Sequence, residues 1–194
     1  MDIIEQIRRF QPWNPQEEQD RAELLRRLSS GEELYTRKNP SAHLTASAWV
    51  VSPDRRQILL AYHNLYDSWA WLGGHADGER DLLSVALREA REESGLKAVR
   101  AVSPEIYSLE ILTVDGHEKR GAYVSSHLHL NVTFLLEADP KLPIRCKPDE
   151  NSRAGWFGLE EGVAASTEPW FRERIYAKLN AKLSAFPPGP QSEA

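Results

Sequence analysis

Glu89, Glu92 and Glu93 lie three and four residues apart in a stretch where Leu83, Ala86, Leu87 and Ala90 recur at helical spacing. On a helix this spacing gathers the three carboxylates on one face. Arg88 reaches Glu92 at i+4, which leaves at least two carboxylates without a cation. Hard oxygen donors on one rigid element suit Mg²⁺ or Mn²⁺, ions that keep several waters and bind substrate phosphates. The Gly73-Gly74 pair just upstream lets the backbone come close, so the Gly73 carbonyl is a further candidate ligand. A solvated, Glu- and Arg-rich helix face is the competing reading of the same residues.

Histidines and aromatics form a second set. His127 and His129 alternate with Leu128 and Leu130, so they share one face of an expected strand, and His43 and His75 lie in two other segments. They are candidates for contact with a substrate phosphate, or simply the polar face of a half-buried sheet. Trp69 and Trp71 precede the glycine pair and are placed either to stack on a base or to pack on the core. Arg145 and Lys147 are candidates for phosphate contact, with plain solvation as the alternative.

Several elements must position these groups. Two helices are expected at the start, about Asp2–Phe10 and from Asn14-Pro15 onward, where an N-cap residue precedes Pro at the first helical position. Strands are expected in "HLTASAWVV" and "QILLAY", joined by a turn at "SPDRR". Residues 64–77 and 115–126 read as loops. Residues 81–94 read as a helix stopped by Gly95. Strands follow within residues 98–114, in "HLHLNVTFLLEA" and in "RAGWFGL", and one last helix covers "TEPWFRERIYAKLNAKLSAF". The pattern predicts an α/β fold with a mixed sheet flanked by helices. It divides into an N-terminal helical extension over 1–40, a main domain over 41–186 and a flexible tail over 187–194.

The bulk properties narrow the partners. The 194 residues carry 24 Lys and Arg against 29 Asp and Glu, a formal charge of −5, so no basic face for nucleic acid is expected. A bound cation still allows small anionic ligands. Cys146 is the only cysteine, which excludes an internal disulfide and a zinc site built from several thiolates. No segment approaches the roughly 18 apolar residues of a membrane span. "MDIIEQIRRF" lacks the basic start and apolar run of a secretory signal, so a cytoplasmic location is expected. A homodimer is one option for the assembly.

Residues 74–96 resemble the Nudix box, G-x5-E-x7-R-E-U-x-E-E-x-G-U with U apolar. Gly74, Arg88-Glu89-Ala90, Glu92-Glu93 and Gly95-Leu96 fall at its positions, while Arg80 stands where the first Glu belongs and Glu79 sits one place early. The resemblance implies an α/β/α sandwich of Nudix type. It implies metal-dependent hydrolysis of a diphosphate linkage in a nucleoside diphosphate derivative, by water attack at phosphorus. Glu89, Glu92, Glu93 and the Gly73 carbonyl would then hold Mg²⁺ or Mn²⁺. Arg88 would orient the carboxylates, and either Glu89 or the loop residue Glu150 would act as base. The altered Gly–Glu segment keeps open a catalytically weak nucleotide-binding or regulatory module. The segments around His43 and His75 are also similar to isopentenyl-diphosphate isomerases, whose His-rich site would favour Zn²⁺ or Mn²⁺, although their catalytic Cys falls on Gly73. Motifs that mark particular Nudix substrates are absent, so the substrate is open.

Overall fold

The computed structural model describes residues 2–119, 121–148 and 151–188. The fold is α/β with a mixed sheet. Among the described residues ten strands form: β1 (Ala42–Val51), β2 (Gln57–His63), β3 (Ser68–Ala70), β4 (Leu72–His75), β5 (Val99–Ala101), β6 (Ser108–Val114), β7 (His117–Lys119), β8 (Ala122–Val124), β9 (His127–Ala138) and β10 (Asn151–Gly158). The helices are α1 (Ile3–Arg9), α2 (Pro15–Ser29), α3 (Leu82–Ser94), α4 (Leu159–Ala165) and α5 (Ala177–Lys182). The main sheet runs β10-β2-β1-β9-β5, with β3 on β2, β4 on β1 and β6 on β9, while β7 and β8 form a separate hairpin. No helix among the described residues is long and apolar enough to cross a membrane.

The chain divides into two compact units. The first takes residues 1–47, 73–86 and 104–134. Its opening helices start where the side chains dictate: the Glu17 amide donates to Asn14 Oδ1 at 2.9 Å, and the Trp13 amide donates to Glu17 Oε2 at 2.7 Å. Helix α2 then lies along the outer edge of β6. Gln16 donates to the Leu109 carbonyl at 3.0 Å, the Ile111 amide donates to Asp20 at 3.0 Å, and Ser108 Oγ donates to Glu17 at 2.6 Å. Strand groups that β9 does not pair are thereby satisfied by helix side chains. Ile3, Ile7, Leu24 and Leu34 complete the apolar contact and are almost fully buried.

One row of side chains in this unit is polar although buried. Thr45 and Ser47 of β1 donate to Asn131 Oδ1 at 3.0 and 2.9 Å. Asn131 Nδ2 donates to Glu110 and to Thr133, each at 3.0 Å, and Thr133 donates to Glu110 at 2.9 Å. The alternation expected for β9 holds, with Leu130, Val132 and Phe134 opposite this row and equally buried. Sheet periodicity puts His43 in line with Thr45 and Ser47, and His127 and His129 in line with Asn131 and Thr133.

The second unit takes residues 48–72, 87–103 and 135–194. Its core stacks Trp49 on Tyr176 at 5.3 Å between ring centres, with Trp71 edge-on to Tyr176 at 5.7 Å. Strands β10, β2 and β3 pair antiparallel, as do β5 and β9. Gly162 lets α4 sit directly on β2, since a Cβ there would stand 2.5 Å from Ile58 Cδ1. Arg55 and Arg100 both pair with the buried carboxylate of Glu137.

The structure corrects three expectations and adds one helix. Residues 64–77 are not one loop, because β3 and β4 form there. They are three and four residues long, too short for a period to show, and they exist because β2 and β1 pair with them. Residues 115–126 hold the β7–β8 hairpin, turned through Gly121 at φ +77°. Helix α4, seven residues with a central glycine, has no amphipathic signature to read. The last helix is not uniform: Phe171–Tyr176 is π-helical, α5 follows, and Leu183–Ala185 closes as a 3₁₀ turn. Ile175, Leu179 and Leu183 still line one buried face.

Candidate functional site

Helix α3 buries Val85, Ala86 and Ala90, and that packing fixes where its carboxylates stand. Their environments differ in degree. Glu93 is buried, the Glu89 side chain is 12% exposed and that of Glu92 47%. Arg88 pairs with its neighbour Glu89 at 2.9 Å, while Glu92 meets Lys147 Nζ at 3.4 Å. Lys147 reaches Glu92 because its loop is tied to the end of α3: the Arg145 amide donates to the Ser94 carbonyl at 2.7 Å. Gly95, at φ +69°, ends the helix with its amide on the Arg91 carbonyl at 2.8 Å, and Arg145 Cβ would lie only 3.1 Å from a Cβ at Gly95. The Arg145 side chain itself is exposed.

The displaced acid upstream of the helix has a local role. Glu79 Oε1 accepts from the Arg80 and Asp81 amides at 2.7 and 2.9 Å, and Asp81 caps the first turn through Ser84. The Ser84 hydroxyl holds the Asp81 carboxyl below the usual carboxylate range. Arg80 lies over the Tyr35 ring at 4.7 Å. Gly73 has a packing reason to be glycine rather than a conformational one. A Cβ there would meet the Ala46 carbonyl at 2.7 Å and Ser47 Cα at 2.8 Å, because β4 runs flush against β1. Trp69 packs edge-on to Phe157 at 4.8 Å and to Tyr62 at 5.5 Å, with the Arg153 guanidinium over its ring. Glu150 lies outside the described residues.

The histidines converge more tightly than the sequence indicates. The imidazoles of His43, His75 and His129 come from β1, β4 and β9, and their ligand atoms all lie within 4.8 Å of one another. His127 joins the group with its Nε2 3.2 Å from His129 Nε2. Burial, reinforced by His75, His43 and His127, drives the His129 imidazole down to about 2. Burial lowers His43 as well, partly offset by the Asn39 carbonyl. Both rings are therefore neutral near pH 7. His43, one of the four histidines named from sequence as candidate phosphate contacts, is part of this group. Its signal lies in register: His43 on β1 and His127 and His129 on β9 occupy the same alternating phase as the bonded Thr45, Ser47 and Asn131.

Residues 41–179 match the family model of the NUDIX domain. No curated protein matches the chain. Among solved structures, a NUDIX-family hydrolase from Clostridium perfringens is 20% identical with a TM-score of 0.52, covering 74% of this chain and 97% of that one. A Nudix hydrolase from M. smegmatis is 18% identical with a TM-score of 0.53, covering 77% and 90%. The E. coli dihydroneopterin triphosphate pyrophosphohydrolase is 13% identical with a TM-score of 0.53, covering 75% and 97%. At such identities the likeness concerns the fold.

Proposed function

From the premise that this chain belongs to the NUDIX family, we propose that it is a pyrophosphohydrolase that splits the diphosphate linkage of a nucleoside diphosphate derivative. The carrying observation is the graded set on α3, Glu93 buried, Glu89 mostly covered and Glu92 at the surface, at the i, i+3, i+4 spacing of hard oxygen donors. Such a set fits Mg²⁺ or Mn²⁺, which would neutralise phosphate charge and make bound water more acidic. Gly73 is a further candidate ligand through its carbonyl. Arg88 holds the Glu89 carboxylate in place from the adjacent position. Glu89 takes the proton of the attacking water, and Glu150 is the alternative base. Lys147, beside Glu92, supplies a positive charge for a phosphate oxygen. His75, His127, His129 and Trp69 are candidate substrate contacts; for Trp69, its packing against Phe157 and Tyr62 favours a structural role.

The test is a panel of nucleoside diphosphate derivatives with Mg²⁺ or Mn²⁺, on the natural chain and Glu93→Gln. Metal-dependent release of phosphate products, lowered on the order of 100-fold or more in the variant, supports the reading. The use of Glu79 in the helix turn favours one other reading, a nucleotide-binding domain with little turnover. Binding without product in the same assay would establish it. The isomerase reading needs an acid at position 73, where a side chain collides with β1.

A further inference from the structure

We infer that His43, His75 and His129 form a second metal site, one for a borderline divalent transition ion of the Zn²⁺ class, with His127 as the residue that orients His129. The hydrogen bonds fix the tautomers. Asn39 and Ser125 present carbonyl oxygens, which only accept, to His43 Nδ1 at 3.3 Å and His127 Nδ1 at 2.8 Å. Both rings therefore carry their proton on Nδ1 and a lone pair on Nε2. The contact between His127 Nε2 and His129 Nε2 at 3.2 Å then needs a proton on His129 Nε2, which leaves the His129 lone pair on Nδ1.

This is the arrangement that metal-binding histidines adopt, with one ring nitrogen donating to a carbonyl or another fixed acceptor and the other left to ligate. His43 is 5% exposed, and its Nε2 has no hydrogen-bond partner among the described residues. A buried imidazole nitrogen without a partner costs free energy unless something fills the gap. His75, on β4, supplies the third imidazole. Three strands thus deliver three imidazoles into one space.

Bond lengths set the size test. With Zn–N near 2.0–2.1 Å, tetrahedral nitrogens stand about 3.3 Å apart. The ligand atoms here lie within 4.8 Å of one another, so side-chain rotation that shortens their separations by about 1.5 Å at most completes the closure. All three donors are imidazole, which favours Zn²⁺, Co²⁺ or Ni²⁺ over Mg²⁺. Three ligands leave a fourth position for water or an anionic oxygen.

The test is a titration of the metal-stripped full chain with Co²⁺, read by its visible spectrum, and with Zn²⁺ by competition against a chromophoric chelator. Both are done in millimolar Mg²⁺ and in the Glu93→Gln background, so the outcome is independent of the carboxylate chemistry. One equivalent of Zn²⁺ bound, a tetrahedral Co²⁺ spectrum, and loss of both in His75→Gln and His129→Gln are expected. His127→Phe should weaken Zn²⁺ about 10–100-fold while keeping the stoichiometry. Circular dichroism checks that each variant folds, and His75→Gln serves if a buried-site variant does not. Absence of binding, or binding unchanged in the histidine variants, overturns the inference.

Discussion

Removing the side chain of Asn131 tests whether the buried polar row is held together as described. Asn131 makes four hydrogen bonds, accepting from Thr45 and Ser47 and donating to Glu110 and Thr133. Asn131→Ala leaves two buried hydroxyl donors without their acceptor, at about 1–3 kcal/mol each. It also takes one hydrogen bond from the Glu110 carboxylate, about 1.5–3 kcal/mol, although Thr133 still donates to that residue. Water entering the void recovers part of this, so the expected loss is about 3–6 kcal/mol, a large share of the 5–15 kcal/mol of a typical domain. Ser47→Ala is the contrast. It removes one donor while Asn131 Oδ1 keeps Thr45, so the expected cost is about 0.5–1.5 kcal/mol. Urea unfolding at pH 7.5 measures both. Equal costs for the two variants, or a loss below about 1 kcal/mol for Asn131→Ala, would refute the reasoning.

The histidine cluster predicts a pH dependence. With His129 lowered to about 2 and His43 lowered in the same direction, the unfolded chain binds more protons than the folded one below pH 6.5. Stability is therefore full above 6.5 and falls on acidification, with a slope approaching about 1.4 kcal/mol per pH unit from His129 alone. The window from 6.5 to 5 is read on the metal-stripped chain in a Glu168→Gln background, because burial raises the Glu168 carboxyl and opposes the effect, whereas Glu23, held down by Arg26 and Arg27, begins to contribute only nearer 4.5; urea midpoints that stay flat there would contradict the assignment. Gly162→Ala should destabilise by about 1–3 kcal/mol through overpacking on Ile58, with Ile58→Val in the same chain recovering part of the loss in thermal melts. Lys147→Ala breaks a surface ion pair, so the melting temperature should barely move (about 0–1 kcal/mol), while turnover of an anionic substrate falls.

Helix α3 and strand β9 were legible in the sequence because both are long enough to repeat a pattern against a buried face. The acids at 89, 92 and 93 carry their own spacing, so their shared helix face followed from local geometry. Which cation meets which acid did not. Lys147 is 55 residues from Glu92, and the amide bond from Arg145 to Ser94 that brings it there leaves no trace in composition. The same limit hid the full histidine cluster, because alternation shows that His127 and His129 share a face but not that β1 and β4 bring His43 and His75 to it. Gly73 shows the same limit: its type says that the backbone can come close to a neighbour, but not that β1 is what it lies against.

The seating of α2 on β6 bears on how copies of this chain can meet. An uncovered strand margin invites a second chain to extend the sheet, the commonest path from a folded monomer to fibrous or precipitated material. Here Gln16 and Asp20 already occupy the carbonyl of Leu109 and the amide of Ile111. A symmetric pair built by continuing β6 into its twin would first have to peel the opening helix away. Any dimer that keeps α2 seated must therefore join through a different face, and removing residues 1–29 would turn a closed border into an adhesive one.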